Sequence, residues 1–160
     1  MLTFLKQDLT TVERGVIAHG VNCQGVMGSG VALALRNKWP AVYTNYRTMV
    51  DASSDEKEKL LGTCSIVAVE RTNHLYVANV FSQVNYGRQR YRYANPEAIR
   101  SGLNFVFSFA TGIGLPVYMP KLGCGLGGLS WYSDVEPVVA ELLDKHPNLE
   151  NVFLCEISNG

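Results

Sequence analysis

A histidine, an asparagine and a cysteine stand among four glycines in residues 19–31, HGVNCQGVMGSGV. Imidazole exchanges protons near neutral pH, so His19 is a candidate general acid or base. A histidine inside an apolar run can equally be a buried, hydrogen-bonded core residue. Asn22 carries both a donor and an acceptor and could orient a ligand. Cys23 and Cys124 have no second histidine close in sequence to activate them, and they read as small packing residues. His74 and His146 fall in a hairpin and at a helix end, where surface or capping roles suffice.

A second glycine cluster, GCGLGG at 123–128, formally matches GxGxxG through Gly123, Gly125 and Gly128. The dinucleotide fingerprint requires the first βαβ unit and an acidic residue about 20 positions on, whereas here only one helix and one strand remain. There is also no GxxxxGK[ST] sequence, which excludes a P-loop. The physics of the glycines stands without either motif. Successive amides can point into one concavity, and backbone can approach a phosphate with no Cβ in the way. A helix starting at Ser29 would add its N-terminal N–H groups and dipole. Each loop alone is compatible with a plain tight turn; two at one sheet edge would clamp a diphosphate without a cationic side chain.

The elements that must hold these loops follow from periodicity. LTFLKQ and GVIAHGV (15–21) read as strands, SGVALALRNKW as a helix with Val31, Leu35 and Trp39 on one stripe, and AVYTNYRTMV as a second helix beyond Pro40. DASSDEKEK (51–59) is a solvated connector. GTCSIVAVE and HLYVANVFS, separated by RTN, form a hairpin. The next helix begins with Asn95 as N-cap and Pro96 at its first position. LPVYMP is a short strand, SDVEPVVAELLDKH a helix with Ser133 and Glu136 at capping-box spacing, and NVFLCEI the last strand. The order β-β-α-(α)-β-β-α-β-α-β predicts an α/β fold: a three-layer α/β/α sandwich with a mixed, mainly parallel sheet, in a single domain spanning 1–160. In such sheets ligands sit beyond the carboxyl ends of the strands, where both glycine loops fall.

Composition narrows the classes. Of 160 residues, 47% are hydrophobic and 18% charged, and 14 Lys plus Arg balance 14 Asp plus Glu. That is an ordinary globular chain with no net field toward nucleic acid or an anionic membrane. The cysteines at 23, 64, 124 and 155 form no CxxC pair and the histidines are scattered, so neither a disulfide framework nor a metal site is expected. With no signal-peptide pattern and no apolar stretch of spanning length, a cytoplasmic location without membrane contact is expected.

Together KQDL near the start, VNCQGVMGSGVALALRNKWP and MPKLGCGLGGLSW resemble the macrodomain family, the ADP-ribose-binding fold, over nearly the whole chain and in the family's order. The small stand-alone members are the most similar, both the yeast-type ADP-ribose 1''-phosphate phosphatases and the ADP-ribosyl hydrolases of the bacterial antitoxin type. The resemblance implies that Asp8, with Leu9 beside it, reads the adenine amino group and that Asn22 contacts the distal ribose. It implies Gly28, Ser29, Gly30 and Val31 as the first phosphate loop, and Gly123, Cys124, Gly125, Leu126 and Gly127 as the second.

Several of the family's glycoside-cleaving groups are missing. Ala32 stands where one branch has an aspartate, and Gln83 and Gly127 stand where another has a lysine and an aspartate. No Glu-Glu pair occurs anywhere. His19 precedes Asn22-Cys23-Gln24-Gly25 at the spacing of the phosphatase branch, which implies hydrolysis of ADP-ribose 1''-phosphate with His19 and Asn22 as catalytic residues and no cofactor or metal. The alternatives are removal of ADP-ribose from protein or nucleic acid, and a reader without turnover. In NYGRQRYRYANP (85–96), tyrosines alternate with arginines, which could cover the distal ribose or grip the rest of a larger substrate; a solvated connector is the plainer reading.

Overall fold

The computed structural model describes residues 2–89 and 91–156. Six strands form one sheet: β1 (Leu2–Lys6), β2 (Gly15–Asn22), β3 (Cys64–Glu70), β4 (Leu75–Gln83), β5 (Val117–Met119) and β6 (Val152–Glu156). Their order is β1-β6-β5-β2-β4-β3, and every neighbouring pair is parallel except the β3–β4 hairpin. Ile157, expected at the end of the last strand, lies outside the described residues.

Helices α1 (Gly30–Lys38) and α2 (Pro40–Ala52) cover one face, and α3 (Pro96–Ile113) and α4 (Glu136–Lys145) cover the other. This is the three-layer α/β/α sandwich with a mixed, mainly parallel sheet. Strand β2 shows why both faces must be covered. Val16 and Ala18 join the core under α3 and α4, while Ile17 and Val21 join the core under α1 and α2. A strand buried on both sides reads as an unbroken apolar run rather than an alternation.

Local chemistry sets the ends of the elements. Asn95 caps α3, its Oδ1 accepting from the N–H groups of Glu97 (2.9 Å) and Ala98 (3.2 Å), and Pro96 occupies the first turn. Ile99, Leu103, Val106 and Phe107 on the inner stripe of α3 are fully buried, each contributing roughly 1.5–3 kcal/mol. Gly102 lets the helix approach closely, because a Cβ there would lie 2.5 Å from Val80 Cγ1. The cap before α4 differs from the expected Ser133–Glu136 box. A π-helical turn (Trp131–Val135) precedes α4, and Ser130 caps it, accepting from Ser133 N–H at 3.4 Å. Asp134 Oδ2 returns the bond by accepting from Ser130 N–H at 2.8 Å. No helix among the described residues is long and apolar enough to cross a membrane.

Candidate ligand-binding cleft

The chain leaves β2 toward the α1/α2 face and leaves β5 toward the α4 face, although the two strands are adjacent in the sheet. Their loops therefore diverge and open a crevice at the carboxyl ends, where doubly covered sheets bind ligands. A cleft of about 780 Å³ occupies that position. One wall is Asn22 and Val26 to Ala32, the opposite wall Pro120 to Gly127, with Gln83, Tyr86 and Arg88 at the β4 end and Glu156 at the β6 end. The expected loop residues Gly28, Ser29, Gly30, Val31, Gly123, Cys124, Gly125, Leu126 and Gly127 are thus brought together although about 90 residues separate the loops.

The first loop is held by a buried tyrosine. Tyr46 of α2 is fully buried, and its hydroxyl accepts from Gly25 N–H (2.9 Å) while lying 2.7 Å from Asn22 O and 2.8 Å from Asn22 Oδ1. Asn22 closes the turn from within: Oδ1 accepts from Gln24 N–H at 2.9 Å and Nδ2 donates to Val26 O at 2.9 Å. Its amide thus organises the loop. A register shift between Val21 and Asn22 against β4 marks where the strand gives way to the turn. Beyond it, the N–H groups of Met27 through Ala32 find no acceptor among the described residues. Ser29 sits at the N-cap of α1 without a side-chain cap, and Val31, one of the loop residues implied by the resemblance, is 38% exposed and lines the cleft.

The second loop is tied at its ends and open at its centre. Leu129 N–H donates to Gly123 O (3.0 Å), Cys124 N–H to Lys121 O (3.1 Å) and Gly128 N–H to Gly125 O (3.2 Å). The amides of Gly125, Leu126 and Gly127 have no acceptor among the described residues. Gly128 is required: at φ 82°, a Cβ there would lie 2.2 Å from Tyr91 O. Ala94 N–H donates to Gly127 O at 3.0 Å, which ties the chain just before α3 to this loop, and Arg92 pairs with Asp134 of the following π-helical turn at 2.9 Å. Two runs of unsatisfied N–H groups therefore flank one cleft, a geometry suited to a polyanion.

Few full charges line the cleft. Lys121 and Glu156 neutralise each other at 2.6 Å, and exposed Arg88 has no ion pair among the described residues. Asp8 lies outside the lining, two residues past Lys6, which is the register partner of Glu156 at the cleft's β6 end. It is exposed and caps a 3-10 turn (Leu9–Thr11), its Oδ1 accepting from Thr10 N–H at 2.9 Å and Thr10 Oγ1 at 2.8 Å. Those bonds stabilise the carboxylate and lower its pKa. Leu9 is buried beneath it, in the core under α1.

His19 is 1% exposed, and Nε2 is 2.6 Å from Asn79 Oδ1 while Nδ1 has no partner among the described residues. Burial lowers its pKa to about 4, against which the Asn79 bond is the smaller effect. The imidazole is therefore neutral at physiological pH, which restricts the proton-transfer role expected of it. Burial also raises the thiols of Cys23 and Cys124 to about 11, leaving both protonated and unreactive near pH 7. No group of three or more His, Cys, Asp or Glu among the described residues could hold a metal ion.

Sequence reading missed Tyr46, Ser82, Lys121 and Glu156. Ser82 and Glu156 close apolar strands and Tyr46 sits in a helix 20 residues downstream, so no local pattern ties them to the glycines.

An α/β sandwich with paired glycine-rich loops at a sheet switch point has a cleft whose geometry suits phosphorylated ligands. The Macro domain model matches residues 18–138, and the chain belongs to that family. It is 27% identical to an ADP-ribose 1''-phosphate phosphatase of Debaryomyces hansenii, over 98% of this chain and all of that one. It is 25% identical to a DNA ADP-ribosyl glycohydrolase of Mycobacterium bovis, over 96% of this chain but only 42% of that protein's length. The solved structure of a macrodomain protein from Streptomyces coelicolor is 28% identical, covers 98% of this chain and 99% of its own, and superimposes with a TM-score of 0.78.

Proposed function

We propose that the protein binds ADP-ribose in this cleft and hydrolyses ADP-ribose 1''-phosphate to ADP-ribose and phosphate, without cofactor or metal. The observation that carries the reading is the pair of facing loops with free amides at Met27–Ala32 and Gly125–Gly127, spaced around a cleft of about 780 Å³. The full-length similarity to the yeast phosphatase favours the phosphomonoester as substrate. In this scheme Asp8 and Leu9 bind adenine at the β1 side, and the loops hold the diphosphate by N–H donation. Asn22 shapes the wall against the distal ribose. A water oxygen attacks phosphorus, the bond from phosphorus to the ribose oxygen breaks, and the departing oxygen takes up the proton that the water loses. His19 enters as a neutral acceptor through Nδ1, orienting water from beneath the cleft rather than cycling a charge.

The test is incubation with ADP-ribose 1''-phosphate and with ADP-ribosylated protein and DNA, the products being resolved by chromatography. The expected result is phosphate and ADP-ribose from the first substrate, with activity lost in His19→Ala while ADP-ribose binding persists. Full activity in that variant would remove His19 from the mechanism. A second reading, removal of ADP-ribose from nucleic acid or protein, is favoured by exposed Tyr86 and Arg88 at the cleft mouth. Release of ADP-ribose from a conjugate without phosphate turnover would select it, and binding without either product would leave a reader. A cytoplasmic location belongs to the same proposal.

A further inference from the structure

We propose that Ser82 is a ligand-positioning residue whose hydroxyl hydrogen-bonds the distal ribose half of the bound molecule; this rests on the ADP-ribose reading above. Ser82 is 1% exposed, lines the cleft near the end of β4, and its Oγ has no hydrogen-bond partner among the described residues. A buried hydroxyl without a partner is unfavourable, and such groups in folded proteins are normally satisfied by water or by a ligand. Its main-chain oxygen is already used, accepting from Asn95 N–H at 2.8 Å, so the strand end is fixed and only the hydroxyl is open.

The residue across from it explains how a ligand would reach that hydroxyl. Gly20 of β2 is half-buried and lines the cleft, and a Cβ there would lie 2.6 Å from Ser82 Oγ. Gly20 has no side chain to cover the hydroxyl, which lies buried just beneath the cleft floor. Leu122 closes the far side, 3.5 Å from the same point.

Strand order assigns the end of the ligand. Asp8 follows β1 and Ser82 is the penultimate residue of β4, with β6, β5 and β2 between them. Four strand spacings put these ends about 19 Å apart. With adenine at Asp8 and the diphosphate between the loops at β5 and β2, the β4 end receives the distal ribose.

The experiment compares ADP-ribose with ADP, which lacks that ribose, by calorimetry on wild type, Ser82→Ala and Gly20→Ala, with thermal melts of each free protein. In the expected result Ser82→Ala melts at or above wild type, because an unpartnered buried hydroxyl is gone. Its ADP-ribose affinity falls about tenfold, the size of one hydrogen bond to a polar or charged group, while ADP affinity is unchanged. Gly20→Ala, whose methyl covers the hydroxyl, reproduces the selective loss. Unchanged ADP-ribose affinity in Ser82→Ala, equal losses for both ligands, or a lowered melting temperature showing the hydroxyl already satisfied in the free protein would each overturn the assignment. A wild-type protein that binds neither ligand would remove the ADP-ribose reading and this inference together.

Discussion

His19 Nε2 and Asn79 Oδ1 lie 2.6 Å apart on neighbouring parallel strands, and this contact sets the tautomer of the imidazole. Asn79 Nδ2 donates to Val42 O (3.2 Å) and Ser65 Oγ (3.1 Å), so its oxygen faces the ring and Nε2 carries the hydrogen. Nδ1 keeps its lone pair. The arrangement has consequences for stability as well as for the proposed reaction.

In the folded chain the His19 pKa is lowered from 6.5 to about 4 by burial. Between those values the unfolded chain binds a proton that the native chain does not, so stability rises with pH across that window. The contribution is complete above pH 6.5, falls as pH drops toward 4 and levels off below, a total of roughly 3 kcal/mol. Urea denaturation at pH 7.5 and pH 5 should show the loss, and His19→Gln should flatten this part of the profile whatever its own baseline stability.

Tyr46→Phe keeps the ring in its pocket and removes the hydroxyl that joins Gly25 N–H to Asn22. The buried groups left behind lose their partner, which costs about 1–3 kcal/mol. Denaturant titration should show that loss, and ADP-ribose affinity should fall with it because the first loop is no longer held in its open shape.

The glycines of the second loop separate folding from binding. Gly128→Ala places a methyl against Tyr91 O at φ 82° and should destabilise by several kcal/mol or prevent soluble expression. A Cβ at Gly125 meets nothing within 4 Å. Gly125→Ala should therefore melt within about 0.5 kcal/mol of wild type and yet weaken ADP-ribose binding, since the methyl occupies the space proposed for the diphosphate. Equal affinity in Gly125→Ala would place the phosphates elsewhere.

Arg88 is an exposed cation at the β4 end of the cleft with no ion pair among the described residues. Arg88→Ala should lower affinity for ADP-ribose 1''-phosphate more than for ADP-ribose, by up to about tenfold at low salt. The difference should shrink as salt rises, because an exposed charge is screened. Calorimetry at two ionic strengths reads both effects.

Much of this was legible along the chain. Asn95-Pro96 set the start of α3, the two-sided apolar run of β2 implied a covered sheet, and both glycine loops fell at strand ends as their order required. Other features escaped local pattern. The α4 cap moved from Ser133 to Ser130 because a π-helical turn intervenes, and π-helical turns carry no spacing signature. Val31 shares helical spacing with buried Leu35 and Trp39 yet is exposed at the cleft, since periodicity identifies a stripe and not what covers it, and only the resemblance placed Val31 in the first loop.

The sequence alone determined the order of elements, the layered sheet and the presence of two glycine-rich loops at its edge, because these depend on apolar periodicity and on residues lacking a Cβ. Only the tertiary structure decided what each polar group touches. Asn22 binds its own loop through Tyr46, His19 is neutral beneath the floor on Asn79, and Ser82 stands unpartnered over Gly20. These relations join residues up to 62 positions apart on adjacent strands or facing layers. Burial, hydrogen-bond partners and pKa are set by such neighbours and not by residue type.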